Sequence, residues 1–389
     1  MQPKITVFHN SSVWLPQTQT WMYNQIRYVP ADRIEPHVVC ETTENLDQFL
    51  VPNIHCSSQD STRGNYWDKA LKKARIRRYD GYLVRVARRH QAHLLHSHFG
   101  DSGWANISAA KKAGIGHVVT FYGYDVNFLP NVDERWLDRY KKLFETADRI
   151  LCEGSYMAGS IVKLGCPQSK VKVQHLGVEI DRIEFRPRTW KPGETLRVLI
   201  AASFREKKGI PYALEALGRL KDEVPLEITI IGDAGNVPKF QEEKRQIMEI
   251  IKKYNLKTCT DMMGYQPHTV LFNEAYKHHI FLSPSVTARD GDSEGGAPVT
   301  IIELAASGMP IVSSFHCDIP EVVKHGVTGL LAEERDVTGI IKHLHWLIAN
   351  PVSWNEMLKA ARKHIENEYD VVQQGARLAS IYEEVVEIS

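Results

Sequence analysis

Two rhythms of apolar and polar residues alternate along the chain. Short runs rich in β-branched and aliphatic residues read as strands: Ile5-Thr6-Val7-Phe8, His37-Val38-Val39, Leu94-Leu95-His96, Val118-Val119-Thr120-Phe121, Ile150-Leu151-Cys152 and Val171-Lys172-Val173. Amphipathic stretches near 18–28, 67–90, 103–113, 134–147 and 155–164 separate them and predict helices. Strand, helix, strand at this spacing predicts βαβ units and a parallel sheet.

The rhythm breaks at RPRTWKPGET, residues 186–195, where Pro187, Pro192 and Gly193 end any regular element. It resumes with Arg197-Val198-Leu199-Ile200, Ile228-Thr229-Ile230-Ile231, Ile280-Phe281-Leu282 and Ile311-Val312-Ser313 as strands. Helical patterns follow near 211–221, 238–254, 269–277, 299–307 and 338–349. The expected fold is α/β, with two doubly wound Rossmann-like domains, 1–190 and 191–352. Helices in 353–389 are expected to pack back on the first domain. Ligands of such sheets sit at the carboxyl ends of strands, which points to a central cleft closing about the 186–195 linker.

Composition narrows the class. Of 389 residues, 43% are apolar and 24% charged, which excludes disordered, collagenous and disulfide-scaffold proteins. No run of 18 apolar residues predicts a membrane span, and the N-terminus turns polar at once, unlike a secretory signal. Six scattered cysteines without a Cys-x-x-Cys pair suit reduced thiols and a cytoplasmic location. The net charge of +1 hides an asymmetry: 26 Lys and Arg against 19 Asp and Glu up to residue 190, and 22 against 28 beyond it. No Walker A sequence occurs, and Gly232-Asp233-Ala234-Gly235 lacks the Gly-x-Gly-x-x-Gly spacing, which disfavours a nicotinamide enzyme.

Two segments carry chemistry. In LSPSVTARDGDSEGGAPVTIIELAASGMPIVSS (282–314) a strand ends at Pro284. A polar loop then leads to Gly295-Gly296-Ala297, and Pro298 opens a helix carrying Glu303 that Gly308 ends. The glycines let backbone approach a ligand, the helix start offers N–H donors to anionic or hydroxyl oxygens, and Glu294 and Glu303 suit sugar hydroxyls. In VLIAASFREKKG (198–209) a strand end presents Arg205, Lys207 and Lys208, cations able to neutralise a leaving pyrophosphate. A solvated basic loop is the plain alternative.

These motifs resemble family 4 of the GT-B glycosyltransferases, retaining enzymes that use nucleotide sugars. SFREKKGIPYALEAL, IIGDAGN, SEGGAPVTIIELAASGMPIVSS and IPEVVKHGVTGLL match in order, as do HSHFG (96–100), TFYGYD (120–125) and residues 151–179. The resemblance implies that Lys208 binds the donor diphosphate and Glu303 the ribose. It has Glu294 hold the donor sugar with the Gly295, Gly296 and Ala297 backbone. Tyr265 would border the base, and Gly123 would let its loop approach the donor phosphates. A nucleotide sugar, UDP-linked by preference, would donate to a saccharide or lipid-linked saccharide, with no metal or other cofactor. Three departures stand out. Eight residues rather than seven separate the two glutamates. Ser203 replaces the loop arginine, with Arg205 or Lys207 as substitutes. Tyr122 replaces a histidine, which loses a possible donor-sugar contact or moves it to His98.

Other residues complete the expectation. Acceptor groups are sought near 10–21 and 96–103, with Asn10, Ser11, Ser12 and Gln17 to Thr20 offering polar atoms. His96 and His98 are read as pointing to opposite faces of one strand. Asp125 is either a general base or a cap of its own segment. Residues 63–90 carry ten Lys and Arg against Asp68 and Asp80, with Leu71, Ala74, Tyr82, Leu83 and Val86 as an apolar side. That is either a surface for anionic lipid or a solvated helix face; nucleic acid is not expected. The rival readings are a nucleotide-sugar epimerase and a non-catalytic subunit on the same fold.

Overall fold

The computed structural model describes residues 4–16, 20–73 and 79–388. The chain divides into two compact units, Met1–Val178 with Asp370–Ser389, and Glu179–Tyr369.

In the first unit a seven-stranded parallel sheet is built from β1 (Ile5–Asn10), β3 (Ile34–Cys40), β5 (Ile54–Cys56), β6 (Leu94–His98), β7 (Gly116–Thr120), β8 (Arg149–Cys152) and β9 (Val171–Val173). Its order is β5-β3-β1-β6-β7-β8-β9. Two-residue strands β2 (Val13–Trp14) and β4 (Thr42–Thr43) pair beside it. In the second unit β10 (Leu196–Ala201), β11 (Leu226–Ile231), β12 (Thr260–Gly264), β13 (Ile280–Ser283), β14 (Ile311–Ser314) and β15 (Leu330–Ala332) form a parallel sheet of order β12-β11-β10-β13-β14-β15. Both sheets wind outward from their first strand in two directions. Each therefore has a switch point where successive loops diverge, between β1 and β6 and between β10 and β13.

The strands form because both faces are covered. Val7, Leu94, Val118 and Leu151 are buried against Leu378, Ala379, Tyr382 and Val385, one stripe of the terminal helix Val371–Ile388. Val198, Ile200, Ile228, Ile230 and Leu282 are buried with Leu214 and Leu217 of the helix Ile210–Leu220. Near-continuous apolar runs fit strands sandwiched in this way.

Three expectations change. The helix Trp354–Glu368 buries Trp354, Met357 and Leu358 in the second core, so only the last helix joins the first unit. Residues 186–195 are not a free linker. Arg188 is buried and donates to the carbonyls of Ser307 (2.7 Å) and Ala275 (3.1 Å), and Trp190 enters the second core. Lone prolines ended the regular elements there without freeing the chain. The division falls at 178/179, not near 190. Finally, β5, β12 and β15 had no β-branched run long enough to announce them.

The close approach at the second switch point depends on glycine. Gly209 has φ +63, and a Cβ there would stand 1.9 Å from the Pro284 carbonyl oxygen. Gly209→Ala is expected to lower stability by about 2 kcal/mol or more, read as a lower urea midpoint at unchanged slope. A wild-type midpoint would contradict that packing.

Candidate active site

After β10 the chain makes a short 3-10 turn, Glu206–Lys208, and Gly209 starts the next helix. After β13 it runs through a polar loop to Pro298 and the helix Val299–Ala306. Adjacent strands bring these loops together. The Lys208 ammonium lies 2.8 Å from the Glu294 carboxylate, which also accepts from the Ser285 hydroxyl at 2.8 Å. Lys207 donates to Asp292 Oδ1 (3.0 Å) and to the Ser293 carbonyl (2.8 Å). Val286 N–H closes the joint on the Lys207 carbonyl at 2.9 Å.

The pairs are nearly dry, with the Lys208 and Glu294 side chains 17% and 7% exposed. Burial alone would push the Glu294 carboxyl up; Lys208 and Lys207 outweigh it, and the group sits at about 2. Glu294 is therefore held as an anion. Its backbone N–H donates to His316 Nε2 at 3.1 Å, and His316 Nδ1 meets Glu334 at 2.6 Å. Nε2 is thus an acceptor and Nδ1 carries the proton. Glu334 also accepts from the Thr287 N–H at 2.8 Å, so one carboxylate braces both ends of the loop.

The other expected donor residues are distributed around this joint. Gly295 has φ +75, and Gly296 and Ala297 follow it to the helix start. Glu303, on that helix, meets His268 Nε2 at 2.9 Å, and the Glu303 bond raises the His268 pKa. Arg205 stacks over the Phe240 ring at 4.8 Å and takes no part in the two lysine pairs. Ser203 contributes its carbonyl to the Arg205 N–H at 2.8 Å. Tyr265 is 60% exposed just beyond Gly264, whose carbonyl accepts from Gly232 N–H at 2.8 Å.

The first unit's switch point collects the residues expected on the acceptor side. His98 and His96 share a face, with ring centroids 4.4 Å apart; positions two apart in a strand point the same way, and the opposite-face reading was wrong. Both are buried. His98 Nδ1 meets the Tyr122 hydroxyl at 2.6 Å and its Nε2 meets His9 Nδ1 at 3.1 Å. His96 is held by Tyr382 (2.7 Å) and Thr120 (2.6 Å). Burial lowers the pKa of His9, His96 and His98, so all three are neutral. Gly123, at φ +99, turns the chain into the π-helical turn Tyr124–Phe128. Asp125 is wholly buried there and accepts the N–H groups of Gly100 (2.7 Å) and Tyr122 (2.9 Å); burial lifts its pKa to about 7. Asn10 donates to the Val39 carbonyl and accepts from Asn106. With Ser11, Ser12, Trp104 and Asn106 it lines a cavity of about 850 Å³. Gln17 to Gln19 lie outside the described residues.

Residues 181–365 match the family model Glycosyl transferases group 1, and residues 18–182 match Glycosyltransferase Family 4. The amylovoran biosynthesis glycosyltransferase AmsK of Erwinia amylovora is 32% identical over 289 residues, covering 74% of this chain and 69% of that protein. The chain belongs to glycosyltransferase family 4. Its fold is GT-B. A glycosyltransferase of Rickettsia africae superposes with TM-score 0.78 at 15% identity, covering 99% of this chain and all of that one. Anabaena HepE in complex with UDP gives 0.76 at 15%, covering 98% and all.

Sequence motifs located the transferase's two loops but not what braces them. Ser285, His268, His316 and Glu334 escaped notice because each is an ordinary polar residue until the sheet brings it to its partner. His316-Cys317 beside a strand end was the one available signal. The basic stretch 63–90 forms helices Arg63–Lys73 and Gly81–Arg89, and Ala74 to Arg78 lie outside the described residues. Tyr82, Leu83 and Val86 face the core with Phe8 and Leu95, so the expected apolar side is already covered there. No helix among the described residues is long and apolar enough to cross a membrane.

Because the folded pKa of Glu294 is depressed, its stabilisation is present above the ordinary value of 4.5 and is lost as pH falls toward about 2. A Lys208→Met/Glu294→Gln double variant is expected to lose less stability than wild type across that acid window, measured by urea unfolding at successive pH values. Parallel acid limbs would contradict the pairing.

Proposed function

We propose that this transferase moves a hexose from a nucleotide sugar, UDP-linked by preference, to a saccharide or lipid-linked saccharide during polysaccharide or glycolipid assembly, with retention at the anomeric carbon. The observation that carries the reading is the Lys208–Glu294 contact, which joins the cationic bend to the glycine turn at a strand switch point. The Lys208 charge is already stripped of most water and neutralised by a carboxylate. A donor diphosphate arriving there offers that ammonium a second anion, and Glu294 is then free to accept hydrogen bonds from sugar hydroxyls. Lys207 stays with Asp292 and Ser293 and holds the loop's shape. Glu303 accepts the ribose hydroxyls, with His268 as its standing partner.

Glu294, at about 2, is too weak a base to take a hydroxyl proton. We therefore assign that role to the leaving group. The acceptor oxygen bonds to the anomeric carbon on the face from which the C–O bond to phosphate breaks. The bonding pair goes to the phosphate oxygen, which also receives the acceptor's proton. Lys208 and Arg205 stabilise the charge that develops on the diphosphate. The first unit's cavity, with Asn10, Ser11 and Ser12, serves the acceptor. Support also comes from the relative named for amylovoran biosynthesis and from the HepE structure with UDP-glucose.

A thermal-shift panel of UDP, GDP and ADP sugars is expected to show the largest rise with a UDP sugar. Lys208→Ala is expected to cut transfer by about 100-fold or more with the circular dichroism unchanged. Near-normal turnover would overturn the assignment. Sugar released or inverted from the donor with no acceptor present would indicate an epimerase instead.

A further inference from the structure

The first unit carries two clusters of three histidines, and they differ in what their nitrogens do. In the His9, His96 and His98 cluster, both nitrogens of His96 and both of His98 are engaged, with Tyr382, Thr120, Tyr122 and His9. Those rings stitch a core together. The second cluster, His37, His55 and His90, gathers around Phe8 near the sheet edge. His37 comes from β3, His55 from the edge strand β5, and His90 caps the helix Gly81–Arg89. One ring nitrogen of each lies within 4.8 Å of the others.

Several features prepare these rings. Phe8 stacks on His37 (4.8 Å, 16°) and on His55 (5.7 Å, 8°), which sets the two imidazole planes nearly parallel. His37 Nδ1 and His55 Nε2 face each other at 2.9 Å. Only one of two such nitrogens carries a proton, and neutral rings can turn both lone pairs to a shared cation. His90 closes the third side, 5.0 Å from His37 and 4.7 Å from His55 between centroids. Its backbone N–H is fixed on the helix end. Behind His37, Glu35 stands 3.7 Å from Nε2, where a carboxylate orients a metal-bound imidazole and raises its basicity. His37 is buried while His55 and His90 are partly open, so an ion has a path in.

We propose that His37 Nδ1, His55 Nε2 and a ring nitrogen of His90 bind a divalent transition ion of the zinc class, with water in the fourth position. Tetrahedral zinc takes imidazole nitrogens at about 2.0–2.1 Å, placing them roughly 3.4 Å apart. The His37–His55 pair is near that spacing, and His90 closes the rest by a turn of its side chain. Arg89 faces His55 and opposes the cation, while Glu35 favours it. The three ligands come from three elements. The ion would therefore clamp the three-residue edge strand β5 to β3 and to the helix end, a structural role distinct from sugar transfer.

The test uses the untagged full chain, stripped with a chelator and titrated with ZnCl₂ alone by calorimetry, followed by thermal melting. One zinc per chain with a dissociation constant below about 10 μM, and a melting point raised by several degrees, is expected. His55→Gln and His90→Gln should each weaken zinc binding at least about tenfold. Both rings are partly exposed, and circular dichroism checks that the variants fold. MgCl₂ should leave the melting point unchanged. Binding weaker than about 10 μM in wild type, or wild-type affinity in either variant, would overturn the site. Neither readout depends on transferase activity.

Discussion

Two lysines held by two carboxylates fix the geometry of the second unit's loops. Lys207 with Asp292 and Lys208 with Glu294 bridge segments 85 and 86 residues apart in sequence. Such buried pairs are a poor way to gain stability, since desolvation offsets much of the attraction and an apolar replacement is often as good. Their value lies in what they hold ready. Each ammonium sits in a place where water is scarce, and that is where a fixed cation interacts most strongly with an arriving phosphate. The two pairs also differ in kind. Lys207 is anchored to a backbone carbonyl as well as a carboxylate, whereas Lys208 has only a side-chain partner that a substrate anion can replace.

The same topological device operates in both units with opposite chemistry. Around the switch point of the second sheet the groups are ionic. Around that of the first, buried neutral imidazoles meet the hydroxyls of Tyr122, Tyr382 and Thr120. Asp125 shows the cost of order in the first unit. Its carboxyl sits where burial opposes ionisation, yet it ties the start of the helix Gly100–Ala113 to the TFYGYD turn.

Much of this was legible from the chain alone. Alternation of β-branched runs with amphipathic stretches announced both parallel sheets, and glycine, proline and the ordered motifs placed the two loops of the site. What periodicity does not encode is which polar residues meet. His316 and Glu334 are 18 residues apart, and His268 and Glu303 are 35, distances that only the sheet order resolves. Short strands such as β5, with three residues, fall below any pattern. The misreading at 186–195 had a different origin. Proline ends regular structure, but Arg188 and Trp190 bind that irregular segment firmly to the second core. Likewise, nothing in the chain's pattern showed that Asp125 would accept the backbone N–H groups of Gly100 and Tyr122.

The central claim is that Lys208 is the cation that receives the donor diphosphate. Calorimetric titration of UDP and of uridine into wild type and Lys208→Met tests it most directly. UDP should bind wild type about 100-fold or more tighter than uridine, and that advantage should shrink at least about tenfold in the variant while uridine affinity stays the same. An equal UDP advantage in both proteins would contradict the account.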